Sequence, residues 1–277
     1  MTKEQQQAMR KAVEWLREAD GLLVTAGAGM CVDSGLPDFR GNEGLWRAYP
    51  ALGAAQRSFQ SIANPAAFDE DPSLAWGFYG HRLKLYREVQ PHAGFAVLKR
   101  WADGMERGAF VFTSNVDGQF QRAAIAEDRV AECHGSIHFL QCSTPCGSHI
   151  WPATDFIPQV DEQSCRLIGP VPRCPECGGV ARPNILMFWD AEWLSRRTDQ
   201  QESRFEHWIA SVRRPLIVEV GAGTALPTVR RFSERHGPRV IRINAREPQI
   251  DPAFGIGIQG SALATLTGLD HMQRAHR

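Results

Sequence analysis

Four short apolar runs in the sequence end in the same way, and this repetition limits the folds open to the chain. The runs are Leu22–Thr25, Phe110–Gly118, Pro215–Thr224 and Arg239–Glu247. Each run closes on glycine or small polar residues, and helical patterns lie between the runs. This alternation predicts an α/β fold with a doubly wound parallel sheet. Because ligands of such sheets bind at the carboxyl ends of the strands, we expect the four turns to face one crevice.

Two segments interrupt the alternation, and we interpret both as insertions. Residues 46–90 have helical patterns and form the helical insertion, whereas residues 141–190 are rich in Cys, Pro and Gly and form the cysteine ribbon. The chain of 277 residues is 43% hydrophobic, which is enough for a sizeable core. We expect residues 1–45, 91–140 and 191–277 to form the sheet domain, and the two insertions to form a smaller module above it.

The amino-acid composition limits the kinds of partner that the chain is expected to bind. The chain has 31 basic and 31 acidic residues, so nothing favours nucleic acid or an anionic membrane as a partner. No apolar run approaches the roughly 20 residues that span a bilayer. Ala8, Val13, Trp15 and Leu16 predict one face of an N-terminal helix that ends at Gly21. A cytoplasmic location is expected, and the sequence does not give the oligomeric state.

Four of the seven cysteines are spaced as metal ligands. Cys142 and Cys146 form one close pair, and Cys174 and Cys177 form another. Two such pairs separated by a loop are typical of a structural zinc site with four thiolates. The alternatives are four ordinary thiols or a redox pair at Cys174 and Cys177, and Cys165 could replace one ligand. A zinc ribbon could also bind nucleic acid, but the absence of a basic patch argues against it.

The first apolar run continues into a glycine turn. Gly27-Ala28-Gly29 follows it directly, and Val32 stands where the dinucleotide-binding fingerprint has its third glycine. Glycines at a strand end let the backbone approach a phosphate, which a Cβ atom would block. The chain then continues through Pro37 to the triplet Asp38-Phe39-Arg40, where Phe39 taken alone is best explained as a core residue.

Polar residues follow the second apolar run. Asn115 and Asp117 lie two residues apart, where an amide and a carboxylate could hold a carboxamide, a hydroxyl or a water. The alternative is that they cap the next helix. His134 can take a proton near neutral pH, although a lone histidine before glycine is usually structural. We interpret His138 as structural.

Taken in order, these motifs resemble one family. The motifs are GAGMCVDSGLPDFRG, TSNVDGQFQRAA, ECHGS, the paired cysteines, RPNILMFWD, GAGTALP and RIN. They are similar to the motifs of the sirtuins, the NAD-dependent protein lysine deacylases, of the bacterial, class III-like type. The resemblance covers residues 22 to about 266. It implies a Rossmann-like sheet that binds NAD, with a small module of helices and a zinc ribbon.

The resemblance also implies residue roles. His134, Asn115 and Asp117 are expected to be catalytic, with His134 as general base on the cofactor ribose. The acyl oxygen of an acylated lysine would attack the ribose carbon as nicotinamide leaves. A ribose hydroxyl deprotonated by His134 would then attack the acyl carbon, and water would complete the transfer to give free lysine and O-acyl-ADP-ribose. The residues expected to bind NAD are Gly27, Ala28, Gly29, Asp38, Phe39, Arg40, Ser114, Asn115, Asp117, His134, Gly221, Gly223, Thr224 and Asn244. Leu186 and Phe188 are expected to bind the acylated protein or peptide.

The acyl preference is expected to depend on Tyr79 and Arg82. They lie three apart on a predicted helix and therefore on one face. Sirtuins that accept succinyl and malonyl groups have Tyr and Arg at this spacing, and an arginine suits a carboxylate. The alternative is an exposed arginine beside a core tyrosine.

The chain departs from the sirtuin pattern at several positions. Trp189 and Asp190 stand where the family has Gly and Glu, which puts a large ring where the substrate peptide is expected to pass. Further departures are Cys31, Ser114, Phe120, Ala124 and Ala225. Two alternatives therefore stay open: an NAD hydrolase or mono-ADP-ribosyltransferase, and a non-catalytic NAD-binding zinc protein.

Overall fold

The structure is a computed structural model and describes residues 2–37 and 41–275. In this part of the chain the main sheet has six strands, in the order β11-β10-β9-β1-β2-β3, and every neighbouring pair is parallel. Its strands are β1 Gly21–Ala26, β2 Ala109–Thr113, β3 Val130–Glu132, β9 Pro215–Val220, β10 Val240–Asn244 and β11 Gly255–Gln259. The doubly wound parallel sheet predicted from the sequence is therefore confirmed.

Helices cover the sheet and build the helical insertion. They are α1 Lys3–Glu18, α2 Gly41–Ala48, α3 Pro50–Ala54, α4 Phe59–Ile62, α5 Ala66–Glu70, α6 Pro72–Glu88, α7 Ala93–Asp103, α8 Gln119–Arg122, α9 Arg196–Ile209, α10 Thr228–His236 and α11 Ala262–Ala275. α1 begins with a capping box in which Thr2 and Gln5 satisfy each other's backbone N–H groups. Among the described residues, no helix is both long and apolar enough to cross a membrane.

The central strand is the most deeply buried. All six residues of β1 are buried because β1 lies between β9 and β2, with helices on both faces of the sheet. The four predicted apolar runs are the four inner strands. The outer strands β3 and β11 were not predicted, since one has only three residues and the other contains two glycines.

The predicted face of the N-terminal helix lies against the core, but the buried face is wider than predicted. Ala8 and Trp15 are only half-buried, and the buried face of α1 consists of Met9, Ala12, Val13 and Leu16. Ala8 and Trp15 lie at the border of this face and pack against the core. The helix ends at Glu18, with Ala19 as its C-cap, and Gly21 is the first residue of β1.

The cysteine ribbon contains short antiparallel strands. β4 Gly135–Cys142 lies between β5 Ile150–Pro152 and β8 Ala181–Ile185, and β6 Gln159–Asp161 pairs with β7 Arg166–Ile168 as a hairpin. The hairpin packs on α6. β4 continues past residue 140, and one hydrophobic cluster extends through the sheet and both insertions. The predicted division into domains stays a prediction.

Candidate functional site

Two cavities lie along the carboxyl edge of the sheet. The large cavity, about 400 Å³, lies between the ends of β1 and β2 and the insertions. It brings together nine of the predicted site residues: Ala28, Tyr79, Arg82, Ser114, Asn115, Asp117, His134, Leu186 and Phe188. The small cavity, about 100 Å³, is lined by three more, Gly29, Gly221 and Asn244. Gly27, Gly223 and Thr224 line neither cavity.

The two glycine turns contact each other directly. Gly29 N–H donates to the Gly221 carbonyl at 3.0 Å. A Cβ atom at Gly29 would lie 2.7 Å from the Gly221 Cα, and Gly221 has a positive φ of 66°. These glycines are therefore required by the packing of one turn on the other. Gly223, in contrast, has open space where its Cβ would be.

Asn115 and Asp117 are both buried at the end of β2. Asn115 Nδ2 donates to the Gly27 carbonyl at 3.1 Å, which joins this turn to the first glycine turn. Asp117 Oδ1 accepts the Gln119 N–H at 2.9 Å and so satisfies the first backbone donor of α8, although the N-cap position itself is Gly118. Burial raises the pKa of this carboxyl. The Asp117 side chain therefore both binds the start of α8 and lines the large cavity.

His134 lies between β3 and β4 in the wall of the large cavity. Its backbone carbonyl accepts the Leu186 N–H at 2.9 Å, which fixes it to the residue after β8. Burial lowers the pKa of its imidazole, and a hydrogen bond to the Ser114 backbone opposes this only in part. The imidazole is therefore neutral at pH 7 and can accept a proton. His138 Nε2, as expected of a structural residue, lies 2.9 Å from the Asp117 carbonyl.

Cys31 is a site residue whose place the sequence did not indicate. Its thiol is 3% exposed, lines the large cavity and accepts the Asn115 amide at 3.3 Å. Burial, together with the nearby Asp117 carboxylate, raises the pKa of the thiol. The thiol therefore stays protonated. Its only signal in the sequence was the departure from the serine common in the family.

Tyr79 and Arg82 lie on one face of α6, and both are buried in the wall of the large cavity. The alternative of an exposed arginine is wrong, since Arg82 is 8% exposed. The Tyr79 ring stacks on Phe68 with centroids 5.6 Å apart, and burial raises its pKa to about 12. The Arg82 guanidinium donates Nε and Nη2 to the Tyr86 hydroxyl at 3.0 and 2.7 Å.

Leu186 and Phe188 follow β8 and form the opposite wall. Phe188 N–H donates to the Ala63 carbonyl at 2.9 Å, and its ring packs edge-on against Phe59. Both contacts join the cysteine ribbon to the helical insertion. Leu186 is 38% exposed and lies at the mouth of the cavity.

Trp189 does not fill the large cavity. Its side chain is 74% exposed, and its φ of 55° is a left-handed conformation that a tryptophan rarely adopts. The next residue, Asp190, forms a fully buried bidentate ion pair with Arg182, with both N–O distances 2.8 Å. This buried ion pair anchors the residue after Trp189, while the Trp189 ring itself faces solvent.

The residues of the small cavity are held by side-chain hydrogen bonds. Asn244 Oδ1 accepts the N–H groups of Arg246 and Glu247, and its amide donates to the Ala222 carbonyl. Thr224 is exposed and donates its hydroxyl to Glu247 at 2.7 Å. Asn244 therefore shapes the cavity by holding two turns together. Asp38, Phe39 and Arg40, which the sequence assigned to the cofactor, lie outside the described residues.

The four predicted metal ligands converge. The sulfur atoms of Cys142, Cys146, Cys174 and Cys177 all lie within 4.8 Å of one another, and the two closest pairs are 3.6 Å apart. Four thiolates about 2.3 Å from a central Zn²⁺ would have sulfur atoms roughly 3.8 Å apart, so this donor set fits zinc. Cys165 is buried elsewhere in the ribbon and is not part of the cluster.

Comparison with known proteins identifies the family. Residues 27–208 match the Sir2 family. The chain is 33% identical over 243 residues to NAD-dependent protein deacylase 2 of Pyrobaculum aerophilum, covering 87% of this chain and 86% of that protein. It is 34% identical over 244 residues to NAD-dependent protein deacylase 1 of Pseudomonas aeruginosa, covering 85% and 87%. The chain therefore belongs to the Sir2 family, as its motifs predicted.

Solved structures agree on the fold. A structure described as "Structural Basis for the Mechanism and Regulation of Sir2 Enzymes" superposes with a TM-score of 0.70 at 25% identity, covering 98% of this chain and 100% of that one. A Sir2 homologue solved in complex with NAD also gives a TM-score of 0.70, at 24% identity, with 96% and 94% covered. The fold of this chain is thus the fold of the Sir2 structures.

Proposed function

We propose that this protein is an NAD-dependent protein lysine deacylase that prefers acyl groups ending in a carboxylate, such as succinyl and malonyl. The relatives named as NAD-dependent protein deacylases support the general activity. The observation that supports the preference is the position of Arg82, a buried cation in the same cavity as His134, Asn115 and Asp117.

NAD fits the strand-end site. The two cavities lie side by side at the carboxyl edge of the sheet, where such folds hold dinucleotides, and the two glycine turns meet between them. Gly223 leaves its surroundings open to a ligand. When bound, NAD supplies a ribose carbon that becomes electrophilic as nicotinamide leaves. Asn115 and Asp117 would hold the carboxamide or a ribose hydroxyl at the end of β2.

His134 would act as the general base. Its imidazole lies in the cavity wall and is neutral because burial lowers its pKa below 6.5. We expect the His134→Ala variant to lose roughly 10²- to 10⁴-fold in turnover. NAD binding, measured by calorimetry, is expected to persist. Lost binding together with retained turnover would contradict this role.

The same pKa predicts a pH dependence. A base whose pKa lies below 6.5 stays mostly deprotonated while the pH falls from 8 to 6.5. We therefore expect kcat/KM to change little over that range. The acid limb should appear only below that value, as the imidazole becomes protonated. Measurement of kcat/KM between pH 5 and pH 8 tests this, and an acid limb centred above 6.5 would contradict it.

The ribbon thiolates would hold zinc away from the reacting atoms. Among the described residues, none of the four cysteines lines either cavity. The metal would therefore stabilise the module that covers the site. The cytoplasmic location and the absence of nucleic-acid and membrane partners stay predictions.

The decisive experiment compares acyl groups on one peptide. The protein is incubated with NAD and with acetyl-, succinyl- or malonyl-lysine peptides, and nicotinamide and O-acyl-ADP-ribose are measured by mass spectrometry. Peptide-dependent release, faster for the acidic acyl groups, is expected. Release of nicotinamide without peptide would indicate an NAD hydrolase. Transfer of ADP-ribose onto protein would indicate an ADP-ribosyltransferase, and no release of nicotinamide would indicate a non-catalytic binding protein.

A matched variant tests the preference. Arg82→Met keeps an unbranched side chain in α6 but removes the cation. We expect it to reduce desuccinylation far more than deacetylation. Equal losses on the two substrates would overturn the acidic-acyl preference while leaving the deacylase activity itself supported.

A further inference from the structure

Arg82 is held by a residue that the Tyr-and-Arg spacing does not include. Tyr86 lies one helical turn after Arg82 on α6, seven residues after Tyr79, so the three side chains share a face. Tyr86 is 5% exposed and lines the large cavity together with Tyr79 and Arg82. In the sequence, the spacing of Tyr79, Arg82 and Tyr86 at positions i, i+3 and i+7 already indicates that they share one helix face.

The contact between Arg82 and Tyr86 fixes the guanidinium in two ways. Nε and Nη2 both donate to the Tyr86 hydroxyl oxygen, at 3.0 and 2.7 Å. The guanidinium carbon lies 5.3 Å from the centroid of the Tyr86 ring, and 5.2 and 5.8 Å from those of Phe78 and Tyr79. The cation therefore sits in an aromatic cage with one edge bound to a single hydroxyl oxygen.

This geometry determines what the Tyr86 hydroxyl can still do. A tyrosine hydroxyl has two acceptor positions and one proton. The two guanidinium N–H groups donate to the oxygen, so the proton is left to donate elsewhere. Within residues 2–37 and 41–275, the structure contains no acceptor hydrogen-bonded to that proton.

The charge of Arg82 strengthens this donor. A cation that donates to a hydroxyl oxygen polarises the O–H bond, so the hydroxyl becomes a better donor to a further acceptor. Burial also raises the pKa of Tyr86, which keeps the hydroxyl protonated. The acceptor that matches such a donor beside an arginine is an anionic oxygen.

We propose that Tyr86 is a specificity residue of the acyl site: its oxygen positions the Arg82 guanidinium, and its O–H donates to the carboxylate of a dicarboxylic acyl group. The proposal rests on the proposed preference for acidic acyl groups and adds a second donor to it. An acetyl group has no carboxylate to accept this bond, so Tyr86 should distinguish the two substrates without affecting the chemistry that they share.

The test is the Tyr86→Phe variant, which removes only the hydroxyl and keeps the ring over Arg82. We expect kcat/KM for a succinyl-lysine peptide to fall about tenfold or more relative to the acetyl-lysine peptide, because a hydrogen bond to a charged group is lost. The loss should lie in KM rather than kcat, since the carboxylate is remote from the bond that breaks. A purely structural role would lower the two activities together.

Tyr49→Phe is the matched control. Tyr49 is equally buried beside the same cluster, and its hydroxyl lies 2.8 Å from His81 Nδ1. The ratio of the two activities should be unchanged in this variant. Calorimetric dissociation constants of the two peptides, measured without NAD, give a second readout that does not depend on turnover.

The outcomes separate the two proposals. If the wild-type protein shows no preference for the succinyl peptide, the acyl preference and the role of Tyr86 both fail. If the wild-type preference persists in a folded Tyr86→Phe variant, the role of Tyr86 alone is overturned. Should that variant not fold, Tyr86→Met removes the same hydroxyl with a flexible side chain and is judged by the same ratio.

Discussion

The helical insertion and the cysteine ribbon contact each other but differ in how much apolar surface they bury. Phe68, Trp76 and Phe78 of the helical insertion are fully buried and contact further aromatic rings. In the ribbon, Cys146 and Cys177 are exposed. A segment that buries large apolar side chains is stabilised by that burial, whereas we expect the tip of the ribbon, which buries few, to depend on metal binding.

The two insertions nevertheless share an interface. Trp76 Nε1 donates to the Ala181 carbonyl at 2.8 Å, and Arg87 donates to the carbonyls of Ala153 and Phe156. At Gly77, α6 approaches the backbone of Cys165 so closely that no side chain fits between them. We therefore expect packing to hold the half of the ribbon that faces α6, and only the far half to depend on the thiolates. The predictions below test this division.

The largest effect is expected from removing the metal ligands. A Cys174→Ala variant should not retain zinc and should lose turnover, because the ribbon also carries the Leu186–Phe188 wall of the site. Hydrogen exchange should increase around the two cysteine pairs, in residues 142–149 and 173–180, and remain slow in α6 and in the β6–β7 hairpin that packs on it. Cys165→Ala, which removes a thiol outside the cluster, should keep its zinc. Equal loosening of α6 and the ribbon would show that the two insertions unfold as one unit.

The next largest effect is expected at the shared interface. A Cβ atom at Gly77 would lie 1.9 Å from the Cys165 carbonyl oxygen. Gly77→Ala should therefore lower the free energy of unfolding by about 3 kcal/mol, measured by urea denaturation. Gly104→Ala is the control, since its nearest atoms would lie 3.5 Å away. A Gly77→Ala protein as stable as this control would mean that the insertions do not depend on close approach.

A smaller effect is expected when one interface hydrogen bond is removed. Trp76→Phe keeps an aromatic ring but leaves the Ala181 carbonyl without its indole partner, which should cost about 2 kcal/mol. Trp208→Phe is matched to it, because Trp208 donates to the Arg107 carbonyl at 2.8 Å in the sheet domain. Only the first change should speed hydrogen exchange in β8. The interface would be unimportant to the ribbon if both variants left β8 equally protected.

The smallest effect should be a gain in stability. Trp189→Gly places glycine in a left-handed conformation and removes a ring that is already exposed, so unfolding should require about 1 kcal/mol more free energy. Trp189→Ala keeps the unfavourable φ and should show no such gain. Thermal denaturation of the three proteins measures this difference. A destabilised glycine variant would show that the ring makes contacts the exposed surface does not reveal.

Local sequence patterns predicted much of the fold. Short apolar runs that close on glycine or small polar residues identified the inner strands, because burial on both faces favours mainly apolar residues between the turns. The outer strands were not predicted, because β3 is too short and β11 too rich in glycine to show a strand pattern. The two cysteine pairs were also sufficient to predict the cluster, because two close pairs separated by a loop are a common spacing for the four ligands of a tetrahedral zinc site.

The site was predictable where motifs define it and not where it depends on contacts distant in sequence. Asn115, Asp117 and His134 meet in one cavity as the order of motifs implied. The contact between Cys31 and Asn115 could not be predicted, because the two residues lie 84 positions apart in the sequence.

By itself, the sequence determined the family, the parallel sheet, the metal-ligating cysteines and the residues at the strand ends, because each depends on a pattern within a few neighbouring positions. Only the tertiary structure decided that the two glycine turns pack on each other, that Trp189 points to solvent and that Tyr86 holds Arg82 inside an aromatic cage. These features depend on side chains brought together by packing, where distance and burial, rather than residue type, decide which groups interact.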